Sequence, residues 1–152
     1  EVFAFSDTLT HERIEVEDTA VAVLRFAHGG LGVIEATTSA YPGFLKRVEI
    51  LGSKGSVVIE EESIVKWEFD EEREEDAKIL ESFLNTTETG GGAADPMAIG
   101  YHGHKRLFES FVNSLRTGSP VEIDGPSSLK AVEIIEAVYM SAKSGKKVKL
   151  PI

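Results

Sequence analysis

An α+β domain, built on a large, open, mostly antiparallel β-sheet with helices packed on one face, is the fold this sequence predicts. Three observations predict it. The chain has 152 residues, enough for one hydrophobic core and too few for two full domains. Short β-branched and apolar runs punctuated by turn residues occupy Glu1 to Phe69, whereas apolar residues at helical spacing occupy His104 to Gly145. The composition is 41% hydrophobic and 28% charged, the balance of an ordinary globular chain rather than a disordered one.

Residues Glu1 to Phe5 alternate in polarity and predict a strand. Thr19 to Phe26 is a β-branched run that turns at His28-Gly29-Gly30 into Leu31 to Ala40, which predicts a hairpin. Within the first arm Ala20, Ala22, Leu24 and Phe26 share one face and Val21 and Val23 the other, so both faces call for a cover. Leu45 to Leu51, a tight turn at Gly52-Ser53-Lys54-Gly55, Ser56 to Glu60 and Ile64 to Phe69 continue the pattern as a meander. An acidic run follows from Asp70 to Asp76, and Ala77 to Leu84 predicts a short strand or a turn of helix. Asn85 to Asp95, with Gly90-Gly91-Gly92 and Ala93-Ala94, offers little that could pack.

Two helices and a strand complete the order. From His104 to Arg116, Leu107, Phe108, Phe111, Val112 and Leu115 recur at helical spacing, and Thr117-Gly118 supplies the stop. The next helix opens at Asp124-Gly125-Pro126, where a missing N–H costs nothing, and runs through Leu129, Ile134, Ile135 and Val138 to Gly145. Lys147 to Leu150 predicts a closing strand. With helices on one side only, the bare side of the sheet is expected to meet a second copy of the chain, because a self-complementary face suits a two-fold interface.

Charge and cysteine usage exclude several function classes. Asp and Glu outnumber Lys and Arg by 26 to 16, for a net charge of -10, and such a surface repels phosphate backbones and anionic lipid. Nucleic acid and membrane are therefore not expected as partners. No apolar run approaches the roughly 20 residues needed to span a bilayer, and no charged-then-apolar leader opens the chain, so a cytoplasmic location is expected. Without cysteine, disulfides, thiolate metal sites and cysteine nucleophiles are excluded. Opening on Glu1 rather than Met, inside a predicted strand, the chain is expected to be an excised fragment or processed product.

A dinucleotide site needs a glycine-rich turn between a strand and a helix, so that backbone N–H groups approach the pyrophosphate. Gly29-Gly30-Leu31-Gly32 and Gly52 to Gly55 join strand to strand, and Gly90-Gly91-Gly92 follows no strong strand. No bound cofactor is expected for this chain. His102-Gly103-His104, beside Tyr101 at the start of a helix, could hydrogen-bond sugar hydroxyls or carry a proton. The plainer alternative has His104 serving the helix cap and His102 exposed. A metal site there is not expected, because Asp95 and Glu109 follow no ligand spacing.

Tyr41-Pro42-Gly43-Phe44 leads into Lys46 and Arg47. An aromatic, a rigid turn and two cations suit a sugar ring carrying a carboxylate or phosphate. A strand-terminal turn with solvated cations is the structural alternative. Trp67, among Ile64, Val65 and Phe69, is expected to pack in the core or at a subunit contact. Glu60-Glu61-Glu62 and the Asp70 to Asp76 cluster are expected to be solvated charge, because an acid–base pair needs an enclosed environment that shifts its protonation.

Taken in order, several segments resemble the C-terminal domain of the glucose-fructose oxidoreductase, inositol dehydrogenase and rhizopine-catabolism (Gfo/Idh/MocA) family. They are Glu17-Asp18-Thr19-Ala20, Tyr41-Pro42-Gly43-Phe44, Val48 to Ser56 and Ile64 to Trp67, then Gly103-His104, Arg116 to Pro120, Asp124-Gly125 and Ser141 to Pro151. The resemblance implies a parent enzyme with an N-terminal Rossmann domain for NAD or NADP, and a sheet here that floors the substrate site and builds dimers or tetramers. It implies hydride transfer with a sugar or polyol carbinol, the proton being handled by a Glu-Lys-Pro lysine and an Asp and His pair that this chain lacks. Ser110 departs from the acidic residue many relatives carry in that helix.

The expectation is thus a single C-terminal domain over residues 1–152, without catalytic residues of its own and inactive alone, in which His104, His102, Tyr41, Lys46 and Arg47 contact substrate. A stand-alone sugar-binding or scaffold domain is the alternative, and a hydrolase using carboxylates with His102 and His104 a third reading.

Overall fold

The computed structural model describes residues 1–61, 63–84 and 100–152, so the expectations for Glu62 and for Asn85 to Asp95 lie outside the described residues. Strands precede helices: β1 (Val2–Asp7), β2 (Thr19–Arg25), β3 (Leu31–Thr37), β4 (Arg47–Gly52), β5 (Gly55–Glu60), β6 (Ser63–Phe69), α1 (Glu74–Leu84), α2 (His102–Thr117) and α3 (Gly125–Ser144). The α+β class and the antiparallel meander hold. The strands pair as two three-stranded sheets, β1-β2-β3 and β4-β5-β6, where one large sheet was expected. Pro42 and Gly43 lie in the connection between β3 and β4, outside both strands. Two compact units result, Glu1–Ala40 with Glu109–Ile152, and Tyr41–Phe108.

In the first unit β1 pairs β2 from Val2↔Leu24 to Asp7↔Thr19, and β2 pairs β3 from Thr19↔Thr37 to Arg25↔Leu31. The hairpin closes with Phe26 N–H donating to the Gly30 carbonyl at 2.9 Å, and Gly29 takes the positive φ of 87° that this loop requires. The pleat places Val2, Ala4, Ala22 and Leu24 toward α3, where buried Ala137 and partly buried Val138 and Ala142 meet them. Small side chains on both sides let the helix approach closely, and full burial of Val2 is worth roughly 1.5–3 kcal/mol.

The predicted closing strand reduces to one bridge, Val2↔Val148, with bonds of 2.8 and 2.9 Å. Two positions further along β1, the ladder would join Ala4 N–H to the Lys146 carbonyl. The buried Ser141 hydroxyl stands between them instead, accepting from Ala4 N–H at 3.0 Å and donating to the Lys146 carbonyl at 2.7 Å. A side chain of α3 thus replaces a strand bond, and both backbone groups stay satisfied.

α3 has the ends its sequence predicts. Asp124 caps it by accepting from Ser127 N–H at 2.8 Å, and Gly145 adopts the left-handed conformation with its N–H on the Ser141 carbonyl. On the opposite face of the sheet Phe5, Val21, Val23, Leu31 and Val33 are exposed, the last at 72%.

In the second unit β4 pairs β5 from Arg47↔Glu60 to Gly52↔Gly55. Gly55 has no room for a side chain, since a Cβ would lie 2.3 Å from Phe69 Cδ1 and 2.7 Å from the Glu68 carbonyl. Trp67 meets Phe69 edge-on at 5.2 Å, in keeping with the packing role expected of it. The 77–84 segment belongs to a full helix, α1, whose first turn takes Glu74, Glu75 and Asp76 from the acidic run. Carboxylates there complement the positive end of the helix dipole. α2 begins at His102, and its apolar stripe of Leu107, Phe108, Phe111, Val112 and Leu115, expected to cover the sheet, is exposed.

Candidate functional site

Antiparallel ladders alternate between hydrogen-bonded and non-bonded pairs, and side chains stand closest at the non-bonded ones. Counting from the two-residue turn at Gly52↔Gly55 makes Arg47↔Glu60 a non-bonded pair. There Arg47 donates through Nη1 to Glu60 Oε1 at 2.7 Å and through Nε to Glu49 Oε1 at 2.5 Å. Hydrogen bonding to Glu49 first, then to Glu60, raises the Arg47 pKa above its ordinary value. Its charge is committed twice.

Lys46 is held differently. Its backbone N–H donates to Glu61 Oε1 at 2.9 Å, and its ammonium lies 3.6 Å from Glu61 Oε2 with the side chain 67% exposed. Glu60 and Glu61, expected to be solvated charge, are therefore the partners of the two cations. Tyr41 is 96% exposed at the start of the segment that ends in Lys46.

His102 and His104 occupy the first turn of α2, and Lys105 N–H donates to the Tyr101 carbonyl at 3.0 Å. That bond makes Tyr101 the capping residue in place of His104. The Tyr101 ring stacks on His102 with centroids 4.3 Å apart and planes at 26°. Residues two apart on a helix do not face each other, so the two imidazoles diverge rather than form one proton relay. Ser110, the family departure, points its hydroxyl at Glu122 Oε2, 3.4 Å away. Lys46 and Arg47 thus meet carboxylates of the β4–β5 hairpin, Tyr41 stands exposed at the start of the segment leading into β4, and the imidazoles mark the head of α2.

One carboxylate with many hydrogen bonds stands outside the candidate site residues read from the sequence. Asp18, its side chain fully buried, accepts backbone N–H groups from Leu9, Thr10 and His11 at 2.8–3.0 Å, the Thr10 and Thr19 hydroxyls, and faces His11 Nδ1 at 3.1 Å. The Leu9 N–H bond foremost, with those of His11 and Thr10, holds its carboxyl far below the usual range against the opposing effect of burial. With every lone pair engaged it is an anchor for the β1–β2 connection and not a general acid. Its side-chain donors, Thr10 and Thr19, are residues that any loop or strand end carries and give little signal in the sequence.

Against known proteins, the model of the oxidoreductase family, C-terminal alpha/beta domain, matches residues 2–150. The chain is 29% identical over 156 residues to a myo-inositol 2-dehydrogenase from Thermotoga maritima, covering 99% of this chain and 42% of that protein. It is similar to the WlbA dehydrogenase of Bordetella pertussis, solved with NADH and UDP-GlcNAcA, at 34% identity and TM-score 0.83, covering 99% of this chain and 42% of that one. The corresponding enzyme from Chromobactrium violaceum, also with NADH and UDP-GlcNAcA, gives 30% identity and TM-score 0.78 over 99% and 40%. The chain therefore spans about two-fifths of the length of these relatives.

Proposed function

The chain belongs to the Gfo/Idh/MocA oxidoreductase family as its C-terminal alpha/beta domain, and from that premise we propose that it is the substrate-positioning and subunit-contacting part of an NAD(P)-dependent oxidoreductase acting on a sugar, polyol or related cyclic alcohol. The observation that carries the proposal is the match over residues 2–150, together with relatives that act on inositol or hold an acidic nucleotide sugar beside NADH.

The described residues do not fit a nicotinamide dinucleotide. Their positive-φ glycines lie between strands (Gly29, Gly43) or after helices (Gly118, Gly145), and among them no strand–glycine turn–helix unit offers N–H groups to a pyrophosphate. On this reading the cofactor belongs to another part of the parent enzyme, and the chain alone is inactive. Its own share is orientation: the Tyr41 hydroxyl and an imidazole of His102 or His104 hydrogen-bond ring hydroxyls, and Lys46 meets an acidic group. Arg47, held by Glu49 and Glu60, is the second cation that an acidic group could meet. Holding a carbinol in line for hydride transfer removes several kcal/mol from a barrier, about 7 or more in well-oriented cases. The exposed face of β1-β2-β3 is the proposed contact with a second copy.

Calorimetry tests the reading. The chain is expected to bind UDP-GlcNAcA or myo-inositol saturably, about tenfold more weakly as Tyr41→Ala or His104→Ala, one lost polar contact each. It is expected not to bind NADH. Tight NADH binding by this chain would sink the proposal.

A further inference from the structure

Glu61 is the one non-glycine residue with a positive φ, 50°, among the described residues. A left-handed glutamate is uncommon, since its Cβ crowds the following carbonyl, and its setting shows what the conformation achieves. The alternation that makes Arg47↔Glu60 a non-bonded pair makes Lys46 and Glu61 the next bonded pair, in which each N–H should meet the other's carbonyl. Half of that pair is present, Glu61 N–H donating to the Lys46 carbonyl at 2.8 Å. The other half is substituted. Lys46 N–H donates to Glu61 Oε1 at 2.9 Å, so a side-chain carboxylate stands where the strand carbonyl would be. The same carboxylate, with its side chain only 16% exposed, turns Oε2 toward the Lys46 ammonium.

Resting on the function proposed above, we infer that Glu61 is a positioning residue for substrate: its carboxylate fixes Lys46, backbone and ammonium together, where the Tyr41–Lys46 segment enters β4. The left-handed turn takes the main chain away into β6, and the carboxylate keeps the ladder's last bond. Lys46 is the cation this suits. Arg47 is spent on two carboxylates, whereas among the described residues the Lys46 ammonium has one loose partner, with its side chain 67% exposed toward an acidic sugar.

Two substitutions separate the tie from the turn. Glu61→Gly accepts the positive φ more readily but has no acceptor, and Glu61→Gln keeps an acceptor for Lys46 N–H while losing the charge. In the intact protein carrying this domain, assayed with an acidic nucleotide sugar, Glu61→Gly should raise KM about tenfold with kcat nearly unchanged, as expected for losing the acceptor that anchors the Lys46 backbone. Glu61→Gln should recover most of that loss. Amide exchange on this chain should show Lys46 N–H deprotected in Glu61→Gly and protected in Glu61→Gln. Deprotection with an unchanged KM overturns the positioning role and leaves the oxidoreductase reading standing. Protection retained in Glu61→Gly overturns the tie itself. An intact protein that neither binds nor turns over any sugar overturns both.

Discussion

A carboxylate does opposite things according to what surrounds it, and Asp18 and Glu61 show both the benefit and the difficulty of seeing this in advance. Asp18 gathers three backbone N–H groups of the β1–β2 connection, and its carboxyl is held below the ordinary range. Because the folded state prefers the charged form, the unfolded state binds more protons as pH falls. The stabilisation is full above the unfolded carboxylate pKa of about 3.9 and drains away below it. Asp18→Asn should therefore lower the urea midpoint at about pH 7, and the gap to the parent should narrow at about pH 3. Parallel midpoints at both pH values would mean the carboxylate anchors nothing. Neither role was legible beforehand, because the donors that define Asp18 come from a loop without periodicity, and Glu61 sits in a run of like charges. The α3 ends were legible, since Asp124 and Gly145 act on backbone within one turn of themselves.

At the scale of elements, the seam between α3 and β1 depends on a hydroxyl. Ser141 joins Ala4 N–H to the Lys146 carbonyl, so Ser141→Ala leaves a donor and an acceptor buried without partners. The expected loss is roughly 2–4 kcal/mol, one desolvation cost for each group, measured by chemical denaturation. A loss under about 0.5 kcal/mol would show that water replaces the hydroxyl. The same residue explains why Lys147 to Leu150 reads as a strand yet pairs only at Val148. Strand propensity is a property of the segment alone, whereas pairing depends on the edge of β1, 137 residues from Ser141 in sequence, where the Ser141 hydroxyl already occupies the Ala4 N–H. α1 was read too short for a related reason: its acidic first turn resembles solvated charge until the helix dipole is considered.

The molecule as a whole presents apolar surface on the sheet face that α3 leaves bare. Val23 and Val33 are cross-strand partners there and both are exposed. If copies of the chain meet through this face, the paired substitutions Val23→Lys and Val33→Lys should reduce the assembly to a 16.5 kDa species in light scattering with circular dichroism unchanged. Persistence of the larger species would move the interface elsewhere. The first unit also closes in an unusual order: its sheet is made early in the chain, but the outer edge of β1 waits for Val148 and for Ser141. Closing so long a loop is entropically costly. During synthesis, β1 therefore waits for its Val148 and Ser141 bonds until nearly all of these residues have left the ribosome. That interval is when the nascent chain is most open to pairing with the wrong strand.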